Sequence, residues 1–224
     1  MSSESRILLL LLKYRRLLVT EISSLSGLSP SIVTEIVSRH RGLVKIVDGE
    51  VVVENPVELA LELISSKIEP ARVSELLDWR DFEELSARIL ENSGYEVVRG
   101  LKLTTPVRLE IDVFGVELAS KMGIAVDCKH WSLNATSKLV EAAERHAERV
   151  GKLIKYFAYA RSKYRLLSKA AYLVPAIVTL FTPPIRAHSG VLIFSIREMP
   201  QVLRELRVVL DSFEIKPIKI PRTA

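Results

Sequence analysis

The stretch Gly123-Ile-Ala-Val-Asp-Cys-Lys-His-Trp131 carries most of the information about the fold, because an apolar run leads directly into an acid and a lysine two positions apart. In an extended strand, residues two apart project to the same face of the sheet. Asp127 and Lys129 are therefore expected to share one face, while Val126 and Cys128 point to the other, into a core. A carboxylate held beside an ammonium on a rigid strand can bind a divalent metal and assist a water molecule, as phosphodiester hydrolysis requires.

A second acid stands on an apolar stretch upstream, Asp112 in Leu109-Glu-Ile-Asp-Val-Phe114. The chain between Asp112 and Asp127 is long enough for a loop that brings two hairpin-paired strands side by side. Such a hairpin would place both carboxylates and Lys129 within a few ångströms of each other. The alternative is that all three charges lie on a solvated strand face, since an acid-x-lysine triplet alone is common.

These residues resemble the PD-(D/E)xK nuclease superfamily, whose sites place one acid on a strand and an acid-x-lysine triplet on the next. Upstream, Phe82-Glu-Glu-Leu85 and Ser93-Gly-Tyr-Glu-Val-Val98 resemble the opening helix and first strand of Mrr-type restriction endonucleases and archaeal Holliday-junction resolvases. In those relatives a glutamate on the first helix completes the site. Glu83 occupies the matching position, with Glu84 as the alternative.

The resemblance implies a catalytic set and a metal, Mg²⁺ or Mn²⁺. The sequence departs from the pattern twice, since Ile111 replaces a proline often found before the first acid, and Asp127 is shorter than the glutamate or glutamine usual there. Hard oxygen ligands suit these cations. The implied catalytic residues are Glu83, Asp112, Asp127 and Lys129, and the implied metal ligands are Asp112, Asp127, the backbone carbonyl of Cys128, and Glu83.

Residues 5 to about 54 are predicted to form three helices followed by a hairpin. Asp48-Gly49 lies between two β-rich runs, Leu43 to Val47 and Glu50 to Val53, and is a strong signal for a tight hairpin turn. This order resembles a winged helix-turn-helix domain, in which the third helix enters the DNA major groove. Domains of this kind also serve in dimerisation or protein docking. The side chains available to reach DNA phosphates are Arg39, Arg41 and Lys45.

The rest of the chain predicts an α/β domain, a restriction-endonuclease-like mixed sheet flanked by helices, preceded by the small winged-helix domain. The expected order is a helix, three strands, a long helix at about Ser137 to Leu167, two strands and a final helix. Because proline disfavours helical geometry in the residue before it, we place the boundary near Pro70. The predicted domains are residues 1–70, including a linker helix, and 71–224.

Positive charge is concentrated in the last part of the chain. Lys and Arg minus Asp and Glu give −1 for residues 1–70, −3 for 71–134 and +9 for 135–224. A segregated basic region suggests a polyanionic partner. We expect His146, within the long helix, to be exposed. Basic residues that lack acidic partners, and that could track a phosphate backbone unless the aromatics among them belong to the core, are Lys155, Arg161, Lys163, Arg165 and Lys169.

The function that these patterns predict is a metal-dependent endonuclease hydrolysing DNA, in restriction, repair or recombination. The alternative is a non-catalytic DNA-binding or regulatory protein that uses a nuclease-like fold as a scaffold, and RNA is a further candidate substrate. The single cysteine, Cys128, agrees with a reducing compartment, so a cytoplasmic location is expected. The longest N-terminal apolar run, Ile7 to Leu12, is far short of the about 20 residues that span a bilayer. We expect DNA as partner, a homodimer, and no membrane.

Overall fold

The computed structural model describes residues 1–131 and 135–221. The chain divides into two compact units, Met1–Leu85 and Ser86–Ala224, and the division falls within one helix. The domain boundary near Pro70 that the sequence favours remains a prediction.

The first unit combines helices with a three-stranded antiparallel sheet of order β1-β3-β2. The turn between β2 and β3 has positive φ at both Asp48 (51°) and Gly49 (80°), as a type I′ hairpin turn requires. The predicted hairpin is thus confirmed, while the identity of the unit as a winged helix-turn-helix domain remains a prediction. Its elements are α1 (Ser3–Tyr14), β1 (Arg16–Leu18), α2 (Val19–Ser26), α3 (Pro30–Arg39), β2 (Val44–Val47), β3 (Glu50–Val53), α4 (Pro56–Ser65), α5 (Pro70–Ser74) and the beginning of α6 (Trp79–Asn92).

The second unit is built on a seven-stranded sheet of order β4-β5-β6-β7-β9-β8, with β10 paired to β7. Its elements after α6 are β4 (Glu96–Leu103), β5 (Leu109–Glu117), β6 (Met122–Lys129), α7 (Thr136–Lys155), α8 (Phe157–Lys163), a 3₁₀ helix (Arg165–Lys169), β7 (Tyr172–Thr179), β8 (Ala187–His188), β9 (Val191–Ser195), α9 (Met199–Arg204), α10 (Leu206–Ser212) and β10 (Ile218–Lys219).

Parallel and antiparallel pairs coexist in this sheet. Strands β4, β5 and β6 pair in antiparallel fashion, whereas β6, β7 and β9 run parallel. The residues from Met122 to Asp127 on β6 are all buried, as expected of a central strand covered on both faces. The predicted α/β class, a mixed sheet flanked by helices and consistent with a restriction-endonuclease-like fold, is confirmed.

Helix α7 covers one face of this sheet with a stripe of buried residues at helical spacing, including Leu139, Ala143 and Val150. The single long helix expected from Ser137 to Leu167 is wrong. The chain leaves helical geometry at Tyr156 (φ −107°, ψ 25°), and α8 and the 3₁₀ helix follow. Packing decides this break, because Phe157 and Leu167 both lie in the core formed with β4, β5 and β7. Within the described ranges, no helix is both long enough and apolar enough to cross a membrane.

Candidate active site

Asp127 lies near the carboxyl end of β6, and its side chain is only 2% exposed. Two cations neutralise it. Lys129 Nζ is 2.6 Å from Oδ2, and Arg149 Nη2 donates to Oδ1 at 2.7 Å. Oδ2 is held by its ion pair with Lys129. The two residues two apart on β6 therefore share a face, as their spacing predicts, and the third member of the cluster comes from α7.

Asp112 is connected to the same strand through the backbone. The N–H of Cys128 donates to Asp112 Oδ2 at 2.8 Å, although the two residues are 16 positions apart. Strands β5 and β6 are paired antiparallel up to Val113 and Val126, so Asp112 lies where the ladder reaches Asp127. The predicted hairpin thus brings Asp112, Asp127 and Lys129 to one end of the sheet.

The two carboxyl groups differ in their electrostatic environments. Burial and the nearby charge of Asp127 raise the pKa of Asp112 to about 6, although the Cys128 N–H and the two cations oppose the shift. Burial would also raise the pKa of Asp127, but the charges of Lys129 and Arg149 outweigh it and hold that pKa below its ordinary value. At neutral pH both groups are ionised, and Asp112 is the one that accepts a proton first on acidification.

His146 lies one helical turn before Arg149 and is fully buried. Its Nε2 is 2.8 Å from the carbonyl oxygen of Ala125, and because a carbonyl can only accept, Nε2 carries the proton. Burial lowers the pKa of His146 to about 4, so the ring is neutral at physiological pH. The expectation that His146 is exposed is therefore wrong. Its contact with Ala125 ties α7 to β6 two residues from Asp127.

The cations of the site line an open groove of about 420 Å³ beside α7. Lys129 and Arg149 contribute to its wall together with Arg145 and Glu148. Lys129 also lies 5.7 Å from the centre of the Trp131 ring, a cation–π arrangement that helps to hold the ammonium. Asp127 is thus hidden beneath two cations that themselves reach solvent, with side chains 21% and 28% exposed.

Glu83, the fourth predicted catalytic residue, lies half-buried on α6 in the first compact unit, whereas Asp112, Asp127 and Lys129 belong to the second. Its place in the site remains a prediction. Cys128 is partly buried between Asp127 and Lys129 on β6.

The predicted nucleic-acid-binding residues differ in their exposure and in whether a polar or acidic group contacts them. The expectation that Lys169 has no acidic partner is wrong, because its Nζ lies 2.6 Å from a carboxylate oxygen of Glu96, which arrives from a distant strand. Lys163 donates to the backbone carbonyl of Lys102. In the first unit Arg39 pairs with Glu35, and Lys45 pairs with Glu54, so both are partly neutralised. The remaining predicted residues are Arg41, Lys155 and Arg165, which are exposed, and Arg161, which is half-buried.

Two residues of the cluster, His146 and Arg149, were not among the predicted site residues. A signal for His146 is present, because it continues the apolar stripe of α7 at the position three after Ala143. Arg149 has no such signal. In the sequence it resembles any exposed helical arginine, and only the folded structure places it over Asp127.

A divalent cation fits the oxygen donors of this site. Within the described ranges, no three His, Cys, Asp or Glu side chains converge as a metal-binding group. Mg²⁺, however, is commonly held by one or two carboxylates together with water and substrate phosphate oxygens. Asp112 and Asp127 supply two carboxylates, and burial together with the nearby charge of Asp127 raises the pKa of Asp112, so a bound cation would favour its ionised form. Because the N–H and C=O of a strand residue point to the same edge, the Cys128 carbonyl is directed toward β5 and Asp112.

Comparison with known proteins supports the nuclease resemblance for the region that contains this site. An Mrr-type family model described as "Restriction endonuclease" matches residues 74–161, which include Glu83, Asp112, Asp127, Lys129 and Arg149. This match supports a relationship to the PD-(D/E)xK nuclease superfamily. No curated protein matches the chain. A solved structure, "Crystal structure of protein VC1899 from Vibrio cholerae", aligns with a TM-score of 0.34 and 12% identity over 95% of this chain. The chain spans 57% of that protein.

Proposed function

We propose that this protein, whose residues 74–161 match a restriction-endonuclease family, is a metal-dependent endonuclease that hydrolyses DNA phosphodiester bonds. The observation that carries the proposal is the junction of Asp112, Asp127 and Lys129 at one end of a buried strand pair. Asp112, whose pKa is raised to about 6, the buried carboxylate of Asp127, and the Lys129 ammonium 2.6 Å from Asp127 correspond to the acid-acid-lysine arrangement of this superfamily.

Asp112, Asp127, the Cys128 carbonyl and Glu83 would hold Mg²⁺ or Mn²⁺. A bound divalent cation polarises the scissile phosphate and lowers the pKa of a water molecule. Lys129 would orient the attacking water or stabilise charge that develops on the phosphate oxygens, since its ammonium is fixed by Asp127 and Trp131. Arg149 would keep Asp127 in place through Nη2, as a positioning residue.

The test is incubation of the purified protein with linear, circular, single-stranded and branched DNA in Mg²⁺ or Mn²⁺. We expect cleavage by the unmodified chain and loss of cleavage in Asp127→Ala and Lys129→Ala. Arg145→Gln serves as the matched control, because Arg145 lies on the same groove but pairs with Glu141 on the exposed face of α7. Cleavage that persists in both site variants would contradict the proposal. An RNA oligonucleotide in the same assay tests the other substrate class.

A second candidate is a DNA-binding or regulatory protein in which the nuclease-like fold is a scaffold. The observation that favours it is the neutralisation of Asp127 by Lys129 and Arg149, which leaves little net negative charge to attract a metal. Calorimetry with Mn²⁺ separates the candidates. A functional site should give a binding heat that Asp112→Ala abolishes, whereas a scaffold should give no such heat.

A homodimer is part of the proposal, because two copies of one site can cut the two strands of a duplex. Light scattering of the purified protein, with and without a DNA duplex, measures the mass of the particle. A mass of one chain under both conditions would remove this part of the proposal and leave the cleavage chemistry untouched.

A further inference from the structure

A second concave surface lies at the far end of the sheet from Asp127. This surface, which we call the distal groove, has a volume of about 1040 Å³ and is larger than the groove beside Lys129. Its cations come from four separate elements: the β5–β6 turn, α8, the 3₁₀ helix and β10. The residues are Lys121, Arg161, Lys169 and Lys219.

The backbone brings these elements together firmly. The carbonyl of Lys121 accepts from the N–H of Ala171 at 2.8 Å, and the carbonyl of Ala171 accepts from the N–H of Ile220 at 3.0 Å. Lys219 pairs with Tyr172 between β10 and β7. The backbone beside them is closely packed at Gly123, because a Cβ there would stand 3.1 Å from the carbonyl oxygen of Tyr172. The cations therefore surround a preformed surface.

The charge of the distal groove is predominantly positive. Within the described residues, Lys121, Arg161 and Lys219 make no ion pair, and Lys169 alone is paired, with Glu96. The other nearby acid, Glu117, accepts a hydrogen bond from Ser120. Four cations thus line the groove, and none of its described lining residues is acidic. Tyr172, 41% exposed, and the edge of Phe157 add aromatic surface to the same wall.

Size and charge identify the class of ligand. A small anion needs one compact pocket, whereas cations from four elements around a large groove match the repeated phosphates of a polymer. The exposed Tyr172 ring offers a surface on which a base can stack. Along β6, Lys121 is six residues from Asp127, which corresponds to about 20 Å at the rise of a strand. That distance equals about six nucleotides at 3.4 Å each.

We propose that the distal groove binds the phosphate backbone of the DNA substrate about six nucleotides from the position at which Asp127 acts. The inference rests on the proposed function and adds to it a second anchoring site. Lys121, Arg161 and Lys219 bind phosphates there, and the contacts increase affinity without taking part in the chemistry. Substrates long enough to reach both places bind more tightly than those that reach one.

The test measures DNA binding by fluorescence anisotropy, without divalent metal, over a series of salt concentrations. The double variant Lys121→Gln with Lys219→Gln should bind a duplex of about 30 base pairs less tightly, and the slope of log affinity against log salt should fall by about 2, close to 0.9 for each phosphate contact. A hairpin of about 4 base pairs, about 14 Å long, is too short to reach both places, so the double variant should weaken its binding less than that of the long duplex. Circular dichroism confirms that the variant is folded.

Arg204→Gln is the matched control. Arg204 is an exposed cation of the same unit, on α9, and lines a different groove. The proposal for the distal groove would be overturned by equal losses of affinity in the control and the double variant. It would also be overturned if the double variant bound the long duplex as tightly as the unmodified chain does. Loss of affinity for polyglutamate but not for DNA in the double variant would also overturn it and identify an acidic polypeptide as the occupant.

Cleavage separates this inference from the proposed function. With Mg²⁺ the double variant should raise KM for the long duplex and leave kcat unchanged. If the unmodified chain cuts DNA and the double variant has no effect, only the distal-groove proposal is contradicted. If the double variant binds DNA less tightly but the unmodified chain never cuts DNA, the groove remains a DNA-binding surface and the nuclease proposal is contradicted.

Discussion

Arg149 and Asp127 are joined by a 2.7 Å ion pair across 22 positions of the chain, between a helix and the central strand beneath it. The Asp127 side chain is 2% exposed and that of Arg149 28% exposed, so the pair is partly shielded from water. Breaking a buried pair from one side leaves an uncompensated charge, which costs more than an exposed pair is worth. We therefore expect Arg149 to affect the ionisation of Asp127 as well as the charge of the protein surface.

We expect Arg149→Gln to reduce stability by about 1–3 kcal/mol, below the range for a fully buried pair because Lys129 still neutralises Asp127 and Arg149 is partly solvated. Arg149→Lys should restore part of the loss, since it keeps the charge but not the planar guanidinium. Urea unfolding measures the stability. Arg145→Gln, which removes an exposed pair with Glu141 on the same helix, should cost about 0.3–0.5 kcal/mol. Equal effects of the two glutamine variants would show that the contact with Asp127 is energetically unimportant.

Asp112→Asn should stabilise the metal-free protein at neutral pH while it abolishes cleavage. The folded-state pKa of Asp112, about 6, lies above the unfolded value, so folding favours the protonated form. Ionisation therefore destabilises the folded chain as pH rises from about 4 to 6, by about 2–3 kcal/mol at the upper end. Asparagine can still accept from the Cys128 N–H. Unfolding of both chains in a chelator at several pH values tests this.

The expected result is a stability difference that is small near pH 4 and reaches its full size above pH 6. Glu110→Gln is the control, because Glu110 is the exposed neighbour of Asp112 and pairs with Lys102. A difference between unmodified and Asp112→Asn chains that does not change over this range would show that Asp112 ionises normally.

His146 should make the protein sensitive to acid. Its folded-state pKa, about 4, lies below the unfolded value of about 6.5, so the unfolded chain takes up the proton first. Stability is therefore lost as pH falls from about 6.5 to 4, by about 3 kcal/mol in all. His146→Gln should lack this loss, because the glutamine amide can donate to the Ala125 carbonyl but does not titrate. Chemical unfolding of the two proteins across this range gives the comparison.

His188→Gln is the control for that experiment, since His188 is a partly exposed histidine that contacts Glu144. It should leave most of the acid sensitivity in place. If the unmodified protein and His146→Gln lose stability in parallel below pH 6.5, the buried ring is not the titrating group.

Arg41→Gln should weaken DNA binding if the first unit contacts DNA. Arg41 follows α3, is exposed, and makes no ion pair within the described residues, whereas Arg39 and Lys45 each have a carboxylate beside them. Loss of one phosphate contact should reduce affinity about equally for all sequences and lower the salt slope by about 1. Lys13→Gln, at the exposed end of α1, is the control. An unchanged slope for Arg41→Gln would favour a docking or dimerisation role for the first unit.

The sequence alone determined the features that depend on short-range periodicity. Alternation along β6 places Asp127 and Lys129 on one face, and the Asp48-Gly49 pair specifies a turn whose positive φ angles few other dipeptides adopt as readily. The spacing of Asp112 and Asp127 was sufficient to predict a hairpin, because adjacent antiparallel strands need only a short loop. These features follow from residues close together in the chain.

Only the tertiary structure decided which residues from distant elements meet. The approach of Arg149 to Asp127, the burial of His146 against Ala125 and the pairing of Lys169 with Glu96 depend on how helices are rotated over the sheet and on strand order. The end of α7 at Tyr156 likewise follows from the burial of Phe157 and Leu167. Local patterns show which face of an element is apolar, but the partner of each polar group is set by packing between elements far apart in sequence.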